Sequence, residues 1–283
     1  MNKIAIAIVH GVGNTTADFA DEMIAELKSR FADQNPEIDP ADALVFAPVY
    51  WGPILQIPED KLWQRMQKGG PMDFTTLRRF MTSFAADALA YQPLPNERSV
   101  YDAIHEKYAE KLKQLATDAG ATAPLVVISH SLGTIISSNY FYDLTKDHLI
   151  PAPVSNIHGD NPTPLEMGAT LASFYTMGSP LALWSLRYAD FGQPITVPAP
   201  TVPAAVAKAG GWYNMYDPDD IIGYPLHTLN AAYAAAKIKD MPLNAGGIFT
   251  SWNPMSHVEY WTDDDVTEPI AKTLSKLSRV INL

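Results

Sequence analysis

Residues 125–136 read Leu-Val-Val-Ile-Ser-His-Ser-Leu-Gly-Thr-Ile-Ile. A β-prone apolar run gives way at Ser131 to a helix-like pattern, with no residues left over for a loop. A chain that passes from buried strand to helix within one residue must turn sharply. The positions two before and two after the corner must then be small, or side chains collide. Here they are Ser129 and Gly133. The pattern is a form of the nucleophile elbow G-x-S-x-G, with serine in place of the first glycine. Such a corner exposes one hydroxyl at the start of a helix, where the first N–H groups have no intrahelical partner. On this reading Ser131 attacks a carbonyl carbon, and the N–H of Leu132 faces the developing oxyanion. The bland alternative is an ordinary strand-to-helix turn in which Ser131 only caps the helix.

The rest of the chain supplies a frame for that corner. Residues 2–10 and 43–50 read as buried strands, and so do 125–129, 171–177 and 211–216. Helical spacing is expected over 16–31, with Thr15 or Thr16 as N-cap, and over 99–115, 131–144, 181–188, 226–238 and 263–281. The alternation predicts an α/β fold: a predominantly parallel sheet with helices on both faces. Residues 51–98 are rich in aromatics and methionine and predict two or three inserted helices. Trp51, Leu55, Trp63, Met66, Met72, Phe74, Leu77, Phe80, Met81 and Phe84 give them apolar surface for a lid or for fixed packing. The whole of 1–283 reads as one domain carrying this insertion. Ligands of such sheets bind beyond the carboxyl ends of the strands. Four marked places sit there: His10-Gly11, Ser131, Gly178-Ser179 and the aspartates of 217–220.

A serine hydroxyl needs a base within hydrogen-bond reach. In this class of sheet the order is serine, acid, histidine. His257 comes late, in a loop-like segment before the last helix, and is the candidate base, with His227 behind it. His10 precedes the serine, His105 reads as exposed mid-helix, and His130 points away from its neighbour Ser131. His148 and His158 fall in polar loop regions. The acid should follow the 211–216 strand, where Asp217, Asp219 and Asp220 compete. Asp219 and Asp220 each precede the apolar pair Ile221-Ile222, which packs the loop down, and Asp220 is favoured, then Asp219, then Asp217. Three near-adjacent carboxylates also suit a metal, but no second oxygen-rich cluster accompanies them. The glycine loop His10-Gly11-Val12-Gly13-Asn14 offers a second oxyanion donor, the N–H of Val12, with Gly13 next. A phosphate loop would need G-x-G-x-x-G, and Thr16 stands where the third glycine belongs.

Composition narrows the classes. The net charge is −11, and the cations look scattered, in pairs such as Arg78-Arg79. This argues against nucleic-acid partners and against anionic membrane surfaces. There is no apolar run long enough to span a bilayer, so no stable membrane insertion is expected. The absence of cysteine excludes disulfides, thiolate metal sites and a cysteine nucleophile. The apolar stretch 4–9 is too short for a signal-peptide core, and a cytoplasmic location is expected.

These pieces together resemble the α/β-hydrolase superfamily, specifically its lipase-like serine esterases. The carriers are H-G-V-G-N at 10–14, S-H-S-L-G-T at 129–134, G-S-P at 178–180, D-P-D-D-I-I-G-Y-P-L at 217–226 and the late His257. They span nearly the whole chain in the family's order. The first strand is similar to the third strand of the full fold, which makes this a trimmed version. The acidic segment is also similar to the D-P-V-A-Y stretch of DDHD-type intracellular phospholipases, a comparison that favours Asp220. The resemblance implies hydrolysis of a lipophilic carboxylic ester through an acyl-enzyme, with Ser131, His257 and Asp220 as triad and no metal or organic cofactor. A thioesterase or amidase would use the same constellation. A non-catalytic relative, binding a ligand or partner, would leave one triad member out of reach.

Overall fold

The computed structural model describes residues 1–13, 15–73, 75–146, 149–245, 257 and 260–283, without the side chains of Ile57, Glu59, Thr76, Leu77, Phe80 and Met81. Among these residues the strands are β1 (Ile4–Val9), β2 (Leu44–Val49), β3 (Leu125–His130), β4 (Leu171–Met177), β5 (Gly211–Tyr216) and β6 (Lys239–Pro242). They form one sheet in the order β2-β1-β3-β4-β5-β6, parallel throughout. The helices are α1 (Asp21–Gln34), α2 (Pro40–Ala43), α3 (Pro53–Lys68), α4 (Thr75–Ala90), α5 (Ser99–Ala119), α6 (Leu132–Leu144), α7 (Ala152–His158), α8 (Leu181–Trp184), α9 (Ala204–Ala209), α10 (Ala231–Ala235) and α11 (Asp264–Ile281). The chain is thus an α/β fold with a helical insertion.

Every residue of β1, β3 and β4 is buried, as expected of strands that lack polar alternation because both faces are covered. Their two faces feed two cores. Ala5, Ala7, Val9 and Val127 pack with Tyr108 and Leu112 of α5 and Ile135 of α6. Ile4, Ile6, Ile8 and Ile128 pack with Met23 and Leu27 of α1 and Ile270 and Leu274 of α11. Burying each large aliphatic side chain is worth about 1.5–3 kcal/mol over leaving it exposed. A one-residue slip of β1 would swap its isoleucines and alanines between the two cores, so packing fixes the register.

The chain steps from β1 out to β2, then returns across β1 to β3. The connections therefore diverge between β1 and β3, which opens a crevice at the carboxyl ends of these strands. The loop after β1 and the corner at Ser131 flank that crevice.

Tertiary contacts moved several boundaries. The helix expected from residue 16 begins at Asp21, and Ala20 precedes it with no side-chain cap. Turns occupy the interval, closed by Phe19 N–H to Thr16 O and Asp21 N–H to Asp18 O, while the Phe19 ring meets His10 edge-on at 4.8 Å. The helix expected over 226–238 shrinks to α10. The N–H groups of Leu226 and His227 donate to Asp240 instead, tying this stretch to β6. In the region 51–98, Trp51 and Leu55 join the core and Trp63 is buried under the Arg79 guanidinium. Met66 is exposed, and Met72 and Phe84 are half-buried. Phe74 and the side chains of Leu77, Phe80 and Met81 lie outside the described residues. No helix among the described residues is long and apolar enough to cross a membrane.

Candidate active site

Ser131 follows directly on β3, in a backbone conformation that only the corner explains. Its φ is +52° and ψ is −128°, a region costly for a residue with a Cβ. The corner is held by its N–H donating to Met177 O on β4, 2.9 Å away. Small neighbours make room. A Cβ on Gly133 would lie 2.5 Å from His10 O, and one on Gly11 would lie 2.4 Å from Ser131 Cβ. Ser129, two residues before the corner, is fully buried, and its hydroxyl pairs with that of Ser137 at 2.7 Å. A buried serine is thus tolerated in the place of glycine because α6 offers its hydroxyl a partner.

The Ser131 hydroxyl donates to Nε2 of His257 at 2.7 Å. On the other side of the ring, Nδ1–H faces both carboxylate oxygens of Asp220, at 3.0 and 2.9 Å. Asp220 receives two further donors, the Ile222 N–H and the Tyr260 hydroxyl, each at 2.9 Å. Burial opposes charge on Asp220, but these hydrogen bonds outweigh it and hold the carboxyl below its usual range. A persistently ionised Asp220 keeps the proton of His257 on Nδ1 and leaves Nε2 free to accept.

The competing aspartates do other work. Asp217 is buried and accepts from the N–H groups of Asp219 and Ala245, both at 2.7 Å. Asp219 is exposed. Among the described residues no three carboxylate or histidine side chains gather in a group that could hold a metal ion. His227 is exposed and pairs with Asp240 instead.

Of the expected oxyanion donors, Leu132 follows Ser131 directly, and Val12 follows Gly11, on which a Cβ would lie 2.4 Å from Ser131 Cβ. Leu132 is the first residue of α6, so its N–H has no intrahelical acceptor. In the loop after β1, Nδ1–H of His10 donates to Gly11 O at 2.7 Å. A trans peptide points its N–H opposite to its carbonyl, so this bond sets the direction of the Val12 N–H. His10 is itself fixed: its Nε2 accepts from Trp51 N–H and Gly52 N–H, at 3.1 and 3.2 Å, and its ring stacks on Trp51 at 4.7 Å. Burial, partly offset by the Gly11 bond, lowers its pKa to about 4 and keeps it neutral. Asn14 of this loop lies outside the described residues.

Several histidines differ from expectation. His130, expected to point away from Ser131, instead lies with its ring 4.8 Å from that of His257, and its Nε2–H donates to the main-chain carbonyl of His257 at 2.6 Å. Burial, then the nearby His257, pushes its pKa down to about 3. His105 is wholly buried rather than exposed, with its Nε2 paired to the Tyr91 hydroxyl at 2.8 Å, because α5 packs that face inward. His158 ends α7 and is buried. His148 lies outside the described residues. Sequence reasoning also missed Tyr260. Its spacing of three from His257 is the one available signal, since a helical turn brings such a pair to one side.

Ser131 and His257 are 0% and 1% exposed, so the hydroxyl is shut from solvent. A cavity of about 680 Å³ opens at the opposite end of the sheet beside Lys3, Pro124 and Thr170. It includes none of the residues above. The chain matches no protein-family model and no curated protein.

Proposed function

We propose that this protein is a serine hydrolase of the α/β-hydrolase type, acting on carboxylic esters. The observation that carries the reading is the unbroken chain from Ser131 Oγ through His257 to Asp220, set on a positive-φ corner. A nucleophile, its base and the group that orients the base each stand at hydrogen-bond distance.

In this reading Ser131 Oγ attacks the ester carbonyl as His257 Nε2 takes its proton. Asp220 steadies the imidazolium that forms. The N–H groups of Val12 and Leu132 stabilise the oxyanion, and His257 then protonates the departing alkoxide. Water, activated by His257, hydrolyses the acyl-serine and restores the enzyme. Because Ser131 is covered, substrate entry requires a segment to move. We assign that movement to the helical hairpin of residues 51–98, rooted beside His10, as a lid.

Turnover of p-nitrophenyl esters by the wild type and by Ser131→Ala tests the assignment, together with labelling by a fluorophosphonate. We expect hydrolysis and labelling in the wild type and loss of both in the variant. Hydrolysis that survives in Ser131→Ala would overturn it.

A further inference from the structure

The charge of this chain is unevenly spread. From Lys61 to Arg79 there are five basic residues, Lys61, Arg65, Lys68, Arg78 and Arg79, against one acidic residue, Asp73. The remainder holds fifteen basic and thirty acidic residues, since the totals are 20 and 31. With Asp60, the partner of Arg79, counted in, the segment carries +3 and the rest of the chain −14. The segment is the outer half of the hairpin formed by α3 and α4. Arg79 of α4 pairs with Asp60 at 2.6 Å and lies over Trp63 at 5.5 Å. These contacts set the start of α4 alongside the middle of α3, so cations that look scattered in sequence gather at one end of one hairpin.

The same surface is apolar as well as basic. Leu62 and Met66 are 43% and 40% exposed and stand one helical turn apart. Lys61, Arg65 and Lys68 surround them, all exposed, and none is paired with a carboxylate among the described residues. Trp63, by contrast, is buried against α4 and anchors the face from behind. Exposed aliphatic side chains interleaved with unpaired cations suit an anionic lipid surface, where headgroups meet the cations and the side chains enter the acyl boundary. A nucleic-acid face would need no such aliphatic pair.

We propose that the outer half of this hairpin docks the protein on anionic lipid bilayers, as a peripheral contact without insertion. The net charge of −11 of the whole chain does not oppose this, because screening beyond about 8–10 Å leaves the local face to decide.

Flotation of the full chain with vesicles tests it, with no ester present, so the outcome is separate from that of the hydrolase reading. Vesicles of phosphatidylcholine with phosphatidylglycerol should carry the protein upward, and pure phosphatidylcholine should not. Binding should weaken as salt rises. The triple variant K61Q/R65Q/K68Q should bind about 100-fold more weakly, at about fivefold per cation. L62S/M66S should also bind more weakly, and Lys276→Gln, on the exposed side of α11, should bind as the wild type does. All the altered side chains are exposed, and unchanged circular dichroism would show that the variants fold. No flotation with the anionic vesicles, or equal flotation of the triple variant, overturns the proposal. So does single-stranded RNA binding tighter than vesicle binding and indifferent to L62S/M66S, or a dimer that L62S/M66S dissolves.

Discussion

The imidazole of His130 donates its Nε2–H to the main-chain carbonyl of His257, 2.6 Å away. One residue before the candidate nucleophile thus holds the backbone of the candidate base, with their rings 4.8 Å apart. The two ends of the Ser131–His257 hydrogen bond are thereby fixed to one another through a second link. His130→Phe removes the donor and keeps a ring. We expect kcat to fall by about 10- to 100-fold, the scale of a displacement near 1 Å, with KM little changed. His130→Gln, which retains an N–H donor, should recover part of the loss. Steady-state kinetics on one soluble ester separates these outcomes.

The three aspartates of the loop after β5 should differ sharply in effect. Asp220→Asn leaves the shape intact but removes the charge that holds the proton on His257 Nδ1, and should lower kcat by roughly 10⁴-fold. Asp219→Asn should leave kcat unchanged. Asp217→Asn should act on stability, by about 1–3 kcal/mol, because it weakens the acceptor of two buried N–H groups. Activity assays and urea melts on the three variants check this together.

Tyr260 bridges the two buried aspartates, donating to Asp220 and accepting from the Asp217 N–H at 2.8 Å. Tyr260→Phe should therefore weaken both the triad and the loop. We expect a stability loss of about 1–3 kcal/mol. The Asp220 carboxyl should titrate nearer its ordinary range, having lost one of the donors that lower it. Loss of activity toward acid should then set in at higher pH than in the wild type.

Two glycines of the loop after β1 should respond differently to alanine. At Gly11 a Cβ would lie 2.4 Å from Ser131 Cβ, so Gly11→Ala must displace the nucleophile or the loop. Activity should be abolished. Gly13 has φ +110° with nothing within 4 Å of an added Cβ. Gly13→Ala should cost about 1–3 kcal/mol of backbone strain and leave Ser131 labelled by fluorophosphonate at the wild-type end point.

Acid should unfold the protein through its buried neutral histidines. The pKa of His10 is lowered to about 4 and those of His105 and His130 to about 3, from 6.5, by burial. Between pH 6.5 and 4 the unfolded chain binds these three protons and the folded chain does not, so stability falls as pH falls. Burial raises Asp143 to about 6. Between about pH 6 and 4 the folded chain therefore holds a proton there that the unfolded chain lacks, which acts in the opposite sense. The difference is about two protons taken up on unfolding, or about 3 kcal/mol per pH unit. Urea midpoints measured from pH 7 to 4 should fall accordingly. A flat profile through that window would contradict the buried, neutral state of these rings.

What sequence alone determined was local or periodic. The run 125–136 marked its own corner, because strand and helix patterns meet there with no loop between. The strands at 171–177 and 211–216 were legible end to end, because both runs are rich in the aromatic and aliphatic residues that favour strands. Ser131 and His257 could be singled out because few residues of their types stand at strand ends or before the last helix. Strand β6 left no trace, because Lys-Asp-Met-Pro at a sheet edge needs no apolar run. Only the tertiary structure chose among Asp217, Asp219 and Asp220. All three are close in sequence, and the choice depends on which carboxylate a ring 37 residues later can reach. The same holds for His130, Tyr260 and the stack of His10 on Trp51. Each is a contact between segments far apart in the chain, and hydrogen bonds of this kind leave no periodicity for a sequence to display.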